Sequence, residues 1–202
     1  MPPGRPLLLL ALLLLGTPAA ADTATEAFAR GQEAFEREDY EAALEHWQQA
    51  AALEHAAAEY RIGAMYEEGK GVKRDPRQAV DWYRRAAGHG SERAQFNLGH
   101  IYAKGLGVKR DEARAAHWYG LAAERGNPHA QYTLGLMYAQ GRGLERDRAT
   151  AYAWLTVAIH NFNPNMFRDN ANEARGKLEQ RMSEQELERA RELLDEWESA
   201  RH

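Results

Sequence analysis

In the middle of the chain, apolar residues recur at three- and four-residue intervals in two separate runs. In RAQFNLGHIYAKG, residues 93–105, Ala94, Leu98, Ile101 and Tyr102 fall on one helical face. In DEARAAHWYGLAAERG, residues 111–126, Ala115, Trp118, Tyr119, Ala122 and Ala123 do the same. Each run predicts an amphipathic helix striped with small and aromatic side chains. Backbones approach where alanine and glycine sit, and rings fill the space that remains. A helix pair this short cannot bury both stripes alone, so it needs neighbours of its own kind.

Those neighbours are written into the chain. Gly63, Gly99 and Gly135 are 36 residues apart, as are Tyr66, Tyr102 and Tyr138. Asp75, Asp111 and Asp147 keep the same phase, and so do Trp82, Trp118 and Trp154. Two alanine columns, 79/115/151 and 86/122/158, run with them. Six columns in register over three copies make an array of helix-turn-helix units.

The turns are legible too. Within a unit the helices are joined by GKGVKRD (69–75), GLGVKRD (105–111) and GRGLERD (141–147). Gly69, Gly105 and Gly141 can end the first helix at positive φ, and the aspartates can cap the second. Gly71, Gly107 and Gly143 let the chain turn sharply, with Val72, Val108 or Leu144 tucked beneath. Glycine pairs beside basic residues also cradle phosphate. Here an acid stands at the helix start, and Lys73 and Lys109 give way to Glu145, so a hinge is the expectation. Between units, Gly90 and Gly126 end a helix, while Ser91 and Asn127 begin the next. Phe162 breaks that column, so the array should end there.

An earlier unit is degenerate. Gly31, Ala43, Trp47 and Ala50 follow the tetratricopeptide spacing, without the glycine pair in the loop. The expected organisation is a tetratricopeptide-like unit at 22–56, full units at 57–92, 93–128 and 129–164, and capping helices at 165–202. In the tail, Ser183 and Glu186 make a capping box, and Leu187, Ala190, Leu194 and Trp197 line one face. That face either covers the end of the stack or receives a partner.

Residues 57–159, with their A-x-(Y/F)-x-(L/I)-G-x-(M/I)-Y-x-x-G-x-G-(V/L)-x-R-D-x-x-x-A-x-x-W pattern, resemble the Sel-one-like repeats, 36-residue relatives of the tetratricopeptide repeat. The resemblance implies an all-α fold, a right-handed α-solenoid that scaffolds protein complexes. Exported bacterial members are associated with envelope signalling, polysaccharide export, motor assembly and host interaction. A disulfide-rich subgroup has been linked to β-lactam binding, and this chain has no cysteine.

The N-terminus bears on location. Arg5, the apolar run Leu7–Leu15 and Ala19–Ala21 read as a cleavable secretory signal over residues 1–21. No cysteine follows for a lipid anchor, so a periplasmic or secreted chain is expected, without stable membrane insertion after cleavage. Cleavage would remove Arg5 and take the formal net charge from −4 to −5. That balance lacks the clustered basic face of a nucleic-acid binder.

Candidate chemistry is thin. The eight histidines form no compact ligand pair, and no nucleophile elbow or phosphate loop is present. Neither a cofactor nor a metal is expected, and the chain reads as non-catalytic. Binding is the better expectation: a protein or peptide partner, or alternatively an envelope glycan such as peptidoglycan. By analogy with tetratricopeptide solenoids, the first helix of each unit lines the concave face. Three columns point there. Phe28, Tyr60, Phe96 and Tyr132 stand three residues before the motif glycine, as interface anchors or as core. Gln32, Ala64, His100 and Leu136 stand one after it, and Glu36, Glu68, Lys104 and Gln140 five after. Gln95, Asn97, Lys104, Gln131, Thr133 and Gln140 vary between copies and are candidates to serve a partner.

Overall fold

A computed structural model describes residues 18–200. Among these there are ten α-helices and no strand: α1 (Pro18–Glu36), α2 (Tyr40–Ala52), α3 (Ala56–Glu68), α4 (Pro76–Gly88), α5 (Glu92–Lys104), α6 (Glu112–Glu124), α7 (Pro128–Gln140), α8 (Arg148–Asn161), α9 (Met166–Glu179) and α10 (Glu184–Ser199). The expected leader lies outside the described residues up to position 17. No helix among the described residues is long and apolar enough to cross a membrane.

The helices pair as α1/α2, α3/α4, α5/α6 and α7/α8, and each pair packs on the next in chain order. The result is an α-solenoid. Inside each unit, the motif glycine lets the second helix come close. A Cβ on Gly63 would stand 2.8 Å from the Tyr83 ring, one on Gly99 2.6 Å from Tyr119, and one on Gly135 2.9 Å from Leu155. Gly31 faces Trp47 in the same way. The residues filling the gap are therefore Trp47, Tyr83, Tyr119 and Leu155, all buried. The Trp82, Trp118 and Trp154 column is only half-buried. Arg85 lies 4.5 Å above Trp82, and Trp197 lies 4.5 Å from Trp154.

The loops hold the 36-residue period. Gly69, Gly105 and Gly141 close the first helices at φ 76°, 75° and 69°. The backbone N–H of Asp75 donates to Tyr66 O (2.9 Å), that of Asp111 to Tyr102 O (2.9 Å), and that of Asp147 to Tyr138 O (3.1 Å). The aspartate side chains then cap α4, α6 and α8. The second loop glycine serves the contact between units. A Cβ on Gly107 would lie 2.9 Å from Pro76 Cβ, and one on Gly143 would overlap the Glu112 carbonyl. Gly71 meets Tyr40 likewise. Tyr40, Pro76 and Glu112 each open the second helix of the preceding unit. Every loop thus stacks on the helix start of the previous unit.

The ends depart from the repeat. Glu54 occupies the column of Gly90 and Gly126 and takes φ 59° itself. His55 then caps α3, its Nδ1 accepting from Ala58 N at 3.2 Å. At the other end, Phe162 is extended (φ −76°, ψ 134°), and the repeat stops there. Helix α9 packs on α8, as the first helix of each unit packs on the second helix before it. Helix α10 leaves this pattern and packs chiefly on α8. Its stripe is apolar as expected, with Ala190 buried and Trp197 against Trp154. Arg148 donates to Glu186 across the same seam (3.1 Å).

Candidate interaction surface

The first helices α1, α3, α5 and α7 carry the candidate columns. The rings of Phe28, Tyr60, Phe96 and Tyr132 are half-buried. Phe28 stacks on His55 at 4.7 Å. Tyr60 lies 5.6 Å from Tyr83, and Phe96 lies 5.5 Å from Tyr119. Tyr132 packs on the cluster built by Ala151, Leu155 and Leu178. Each ring therefore covers the joint between its own two helices or the next unit, and keeps one edge outward. His100, Lys104 and Gln140 are exposed and make no hydrogen bond or ion pair. Thr133 donates to His129 O (2.8 Å), within its own helix.

Gln95 and Gln131 correct the sequence reading. They are buried, 2% and 0% exposed, and no partner can reach them. With Glu59 (0% exposed) they form a polar column that the repeat buries at every junction. Gln131 Nε2 donates to Ala123 O at 3.0 Å, and Gln95 Nε2 to Ala87 O at 3.3 Å. Each amide staples its helix to the last turn of the unit before. Glu59 has no donor for the equivalent carbonyl, Ala51 O. Arg85 supplies it, giving Nε to Glu59 Oε1 (3.1 Å) and Nη2 to Ala51 O (3.3 Å). A second partner comes from thirty residues on. His89 Nδ1 meets Glu59 Oε2 at 2.7 Å, and Asn161 Nδ2 donates to Gln131 Oε1 at 2.9 Å. For Gln95 this second partner belongs to the other setting of its amide, which gives up Ala87 O, donates Nε2 to Leu121 O at 3.2 Å and accepts from Arg125 Nε at 3.3 Å. Variation between copies at this column reflects a change of partner inside the fold.

Burial pushes the Tyr119 phenol up to about 12, and burial together with Glu67 also raises Tyr83. Both stay protonated near neutral pH. The Tyr83 hydroxyl donates to Glu67 Oε2 at 2.5 Å. Among the described residues no three His, Asp or Glu side chains gather in a metal-binding arrangement.

At the C-terminal end the first-helix face meets α9. The two enclose a cleft of about 360 Å³ between α7 and α9, with Tyr132, Leu136 and Gln140 on one wall. Two of the candidate residues, Tyr132 and Gln140, are thus brought together with the tail, a juxtaposition the repeat register alone does not contain.

Comparison with known proteins agrees with this architecture. No curated protein shows significant similarity to the chain. The Sel1 repeat model matches residues 17–55, 56–91, 92–127 and 128–161, so the degenerate first unit is included. A Sel1 repeat protein of Oxalobacter formigenes superposes with TM-score 0.68 at 31% identity, over 74% of this chain and 59% of its own. c5321, a protective antigen present in uropathogenic Escherichia coli strains and displaying an SLR fold, gives 0.57 at 28% identity, over 86% of this chain and 45% of its own. The chain spans about half the length of these two relatives. Four matched repeats and the shared solenoid place the chain in the Sel1 repeat family.

Proposed function

We propose that this chain is a non-catalytic scaffold of the bacterial cell envelope that holds a polypeptide along the face of its first helices. Sel1 repeats generally serve as protein-interaction scaffolds, which supports the class of partner. The leader-like residues 1–21 support an exported location. The observation that carries the reading is the division of labour within α3, α5 and α7. One column is buried and bonded in every unit: Glu59, Gln95, Gln131. At the positions one and five after the motif glycine, His100, Lys104 and Gln140 are exposed, differ in chemistry and have no partner in the fold, while Glu68 is paired with Lys70. Unpaired polar groups beside half-covered rings suit a partner that supplies hydrogen bonds and apolar contact together. The tryptophans favour protein over glycan, because Trp82 and Trp154 already have a face covered by Arg85 and Trp197.

A photo-crosslinking residue placed at His100 or Lys104, and at Arg84 on the second-helix side, tests this in the native envelope. One polypeptide species should be captured from the first two positions and not from the third. Capture from Arg84 alone, or equal capture from both sides, sinks the assignment of the face.

A further inference from the structure

The third loop carries a different charge arrangement from the second. Arg110 and Glu112 form an ion pair at 2.5 Å where α6 begins. One repeat later the same positions are Arg146 and Arg148. An acid has become a base, and the pair is now two like charges. Arg148 finds an acid in α10, Glu186, at 3.1 Å. Arg146 is exposed and has no ion pair or hydrogen bond. It stands on the rim of the cleft between α7 and α9.

The opposite wall repeats the theme. Lys177 of α9 is paired with Glu173, while Arg181, past the end of α9, is exposed with no acid beside it. The floor is apolar and includes Leu136, Ala139, Ala174 and Leu178. Two guanidiniums without an ion pair, Arg146 and Arg181, thus line one cleft together with these apolar side chains. A guanidinium binds a carboxylate with two parallel N–H···O bonds, and an apolar floor takes an aliphatic or aromatic side chain.

We infer that this cleft is the seat of an acidic peptide segment, its carboxylates held by Arg146 and Arg181 and an apolar side chain resting on Leu136 and Leu178. The inference deepens the scaffold reading and rests on it. A nucleic acid fits less well. The net charge of the chain is −4, and Glu173 and Glu186 flank the cationic groups, where a continuous phosphate backbone would meet them. A short peptide can place isolated carboxylates between those acids.

The test uses the purified protein and four fluorescein-labelled probes: octapeptides alternating leucine with glutamate, glutamine or lysine, and a single-stranded oligonucleotide. The glutamate peptide should bind, and the glutamine and lysine peptides should not. Arg146→Glu with Arg181→Glu should weaken binding at least about tenfold, as should raising salt from about 0.05 to about 0.5 M. Both arginines are exposed and unpaired, so the double variant should unfold as the parent does. Leu136→Asn, which leaves the charges in place, should weaken the same peptide. Equal binding of the glutamine peptide, tighter binding of the oligonucleotide, or an unchanged affinity in the double variant overturns the inference. Crosslinking from His100 separates the two levels. A partner captured there while no acidic peptide binds removes the cleft and keeps the scaffold. Acidic-peptide binding without such capture keeps the cleft and removes the longer face.

Discussion

Glu59 and Arg85 are joined by a hydrogen-bonded ion pair, Nε to Oε1 at 3.1 Å, and the carboxylate has no exposed surface. Gln95 and Gln131 hold the same place in the next two units with a neutral amide. One junction of the solenoid is therefore ionic and two are not. Arg85 is half-exposed, so its charge is partly solvated, while that of Glu59 is not.

Removing Arg85 should leave a buried carboxylate with only His89 against it. Arg85→Ala is expected to cost about 3 kcal/mol in denaturant unfolding. Glu59→Gln in that background should recover much of the loss, because the amide can donate to Ala51 O as Gln131 does to Ala123 O. If the double variant is no better than Arg85→Ala alone, the equivalence of the column is wrong.

Three glycines separate space from conformation. Gly143 has φ 71° and lies against the Glu112 carbonyl, so Gly143→Ala should cost about 3 kcal/mol or more. Gly126 has φ 90° and open space around it, so Gly126→Ala should cost only about 1 kcal/mol. Gly120 is inside α6 with nothing within 4 Å of where a Cβ would stand, and Gly120→Ala should stabilise by about 0.5–1 kcal/mol. Melting temperatures of the three variants check the order.

The cap of α3 is a pH-dependent element. His55 Nδ1 accepts a hydrogen bond from Ala58 N, so it must be unprotonated to hold the cap. Desolvation lowers its pKa below the usual 6.5, against opposing contributions from its backbone hydrogen bond and Glu59. With the folded pKa below the unfolded one, the unfolded chain takes up the proton first as pH falls. The His55 contribution is complete above 6.5 and is lost as pH drops from there through the folded value. Thermal unfolding between about pH 8 and about pH 5 should be steeper for the parent than for His55→Ser, which installs the cap that Ser91 provides one unit later. Equal slopes count against it.

The tail can be assigned by one ring. Trp197 lies 4.5 Å from Trp154. If α10 covers the end of the stack, Trp197→Ala should lower stability by about 2 kcal/mol and expose Trp154 to quenchers. An unchanged melting temperature would instead leave α10 as a partner-binding helix.

Most of the scaffold was readable along the chain. The 36-residue columns set the number of full units, the helix stripes set what is buried, and Asp75, Asp111 and Asp147 announced the second helices. Local rules suffice there, because caps, turns and stripes are decided within one or two helical turns. The loop glycines were legible as hinges, but the reason for Gly107 and Gly143 was not. What they face, Pro76 and Glu112, lies 31 residues back.

The candidate face was legible only as a set of columns. Sequence variation marks both a free side chain and one whose buried partner varies with it, so Gln95 and Lys104 look alike on the page. Only the tertiary structure parts them: Gln95 is turned toward the preceding unit, and Lys104 toward solvent. The same holds for the tail. Its amphipathic stripe predicts burial against something, and nothing local says that α9 continues the stack beside α7 while α10 folds back on α8. Helix periodicity and capping are short-range, so the repeat is already specified residue by residue along the chain. Which polar groups remain available was decided by the stacking of units, through contacts about thirty residues apart.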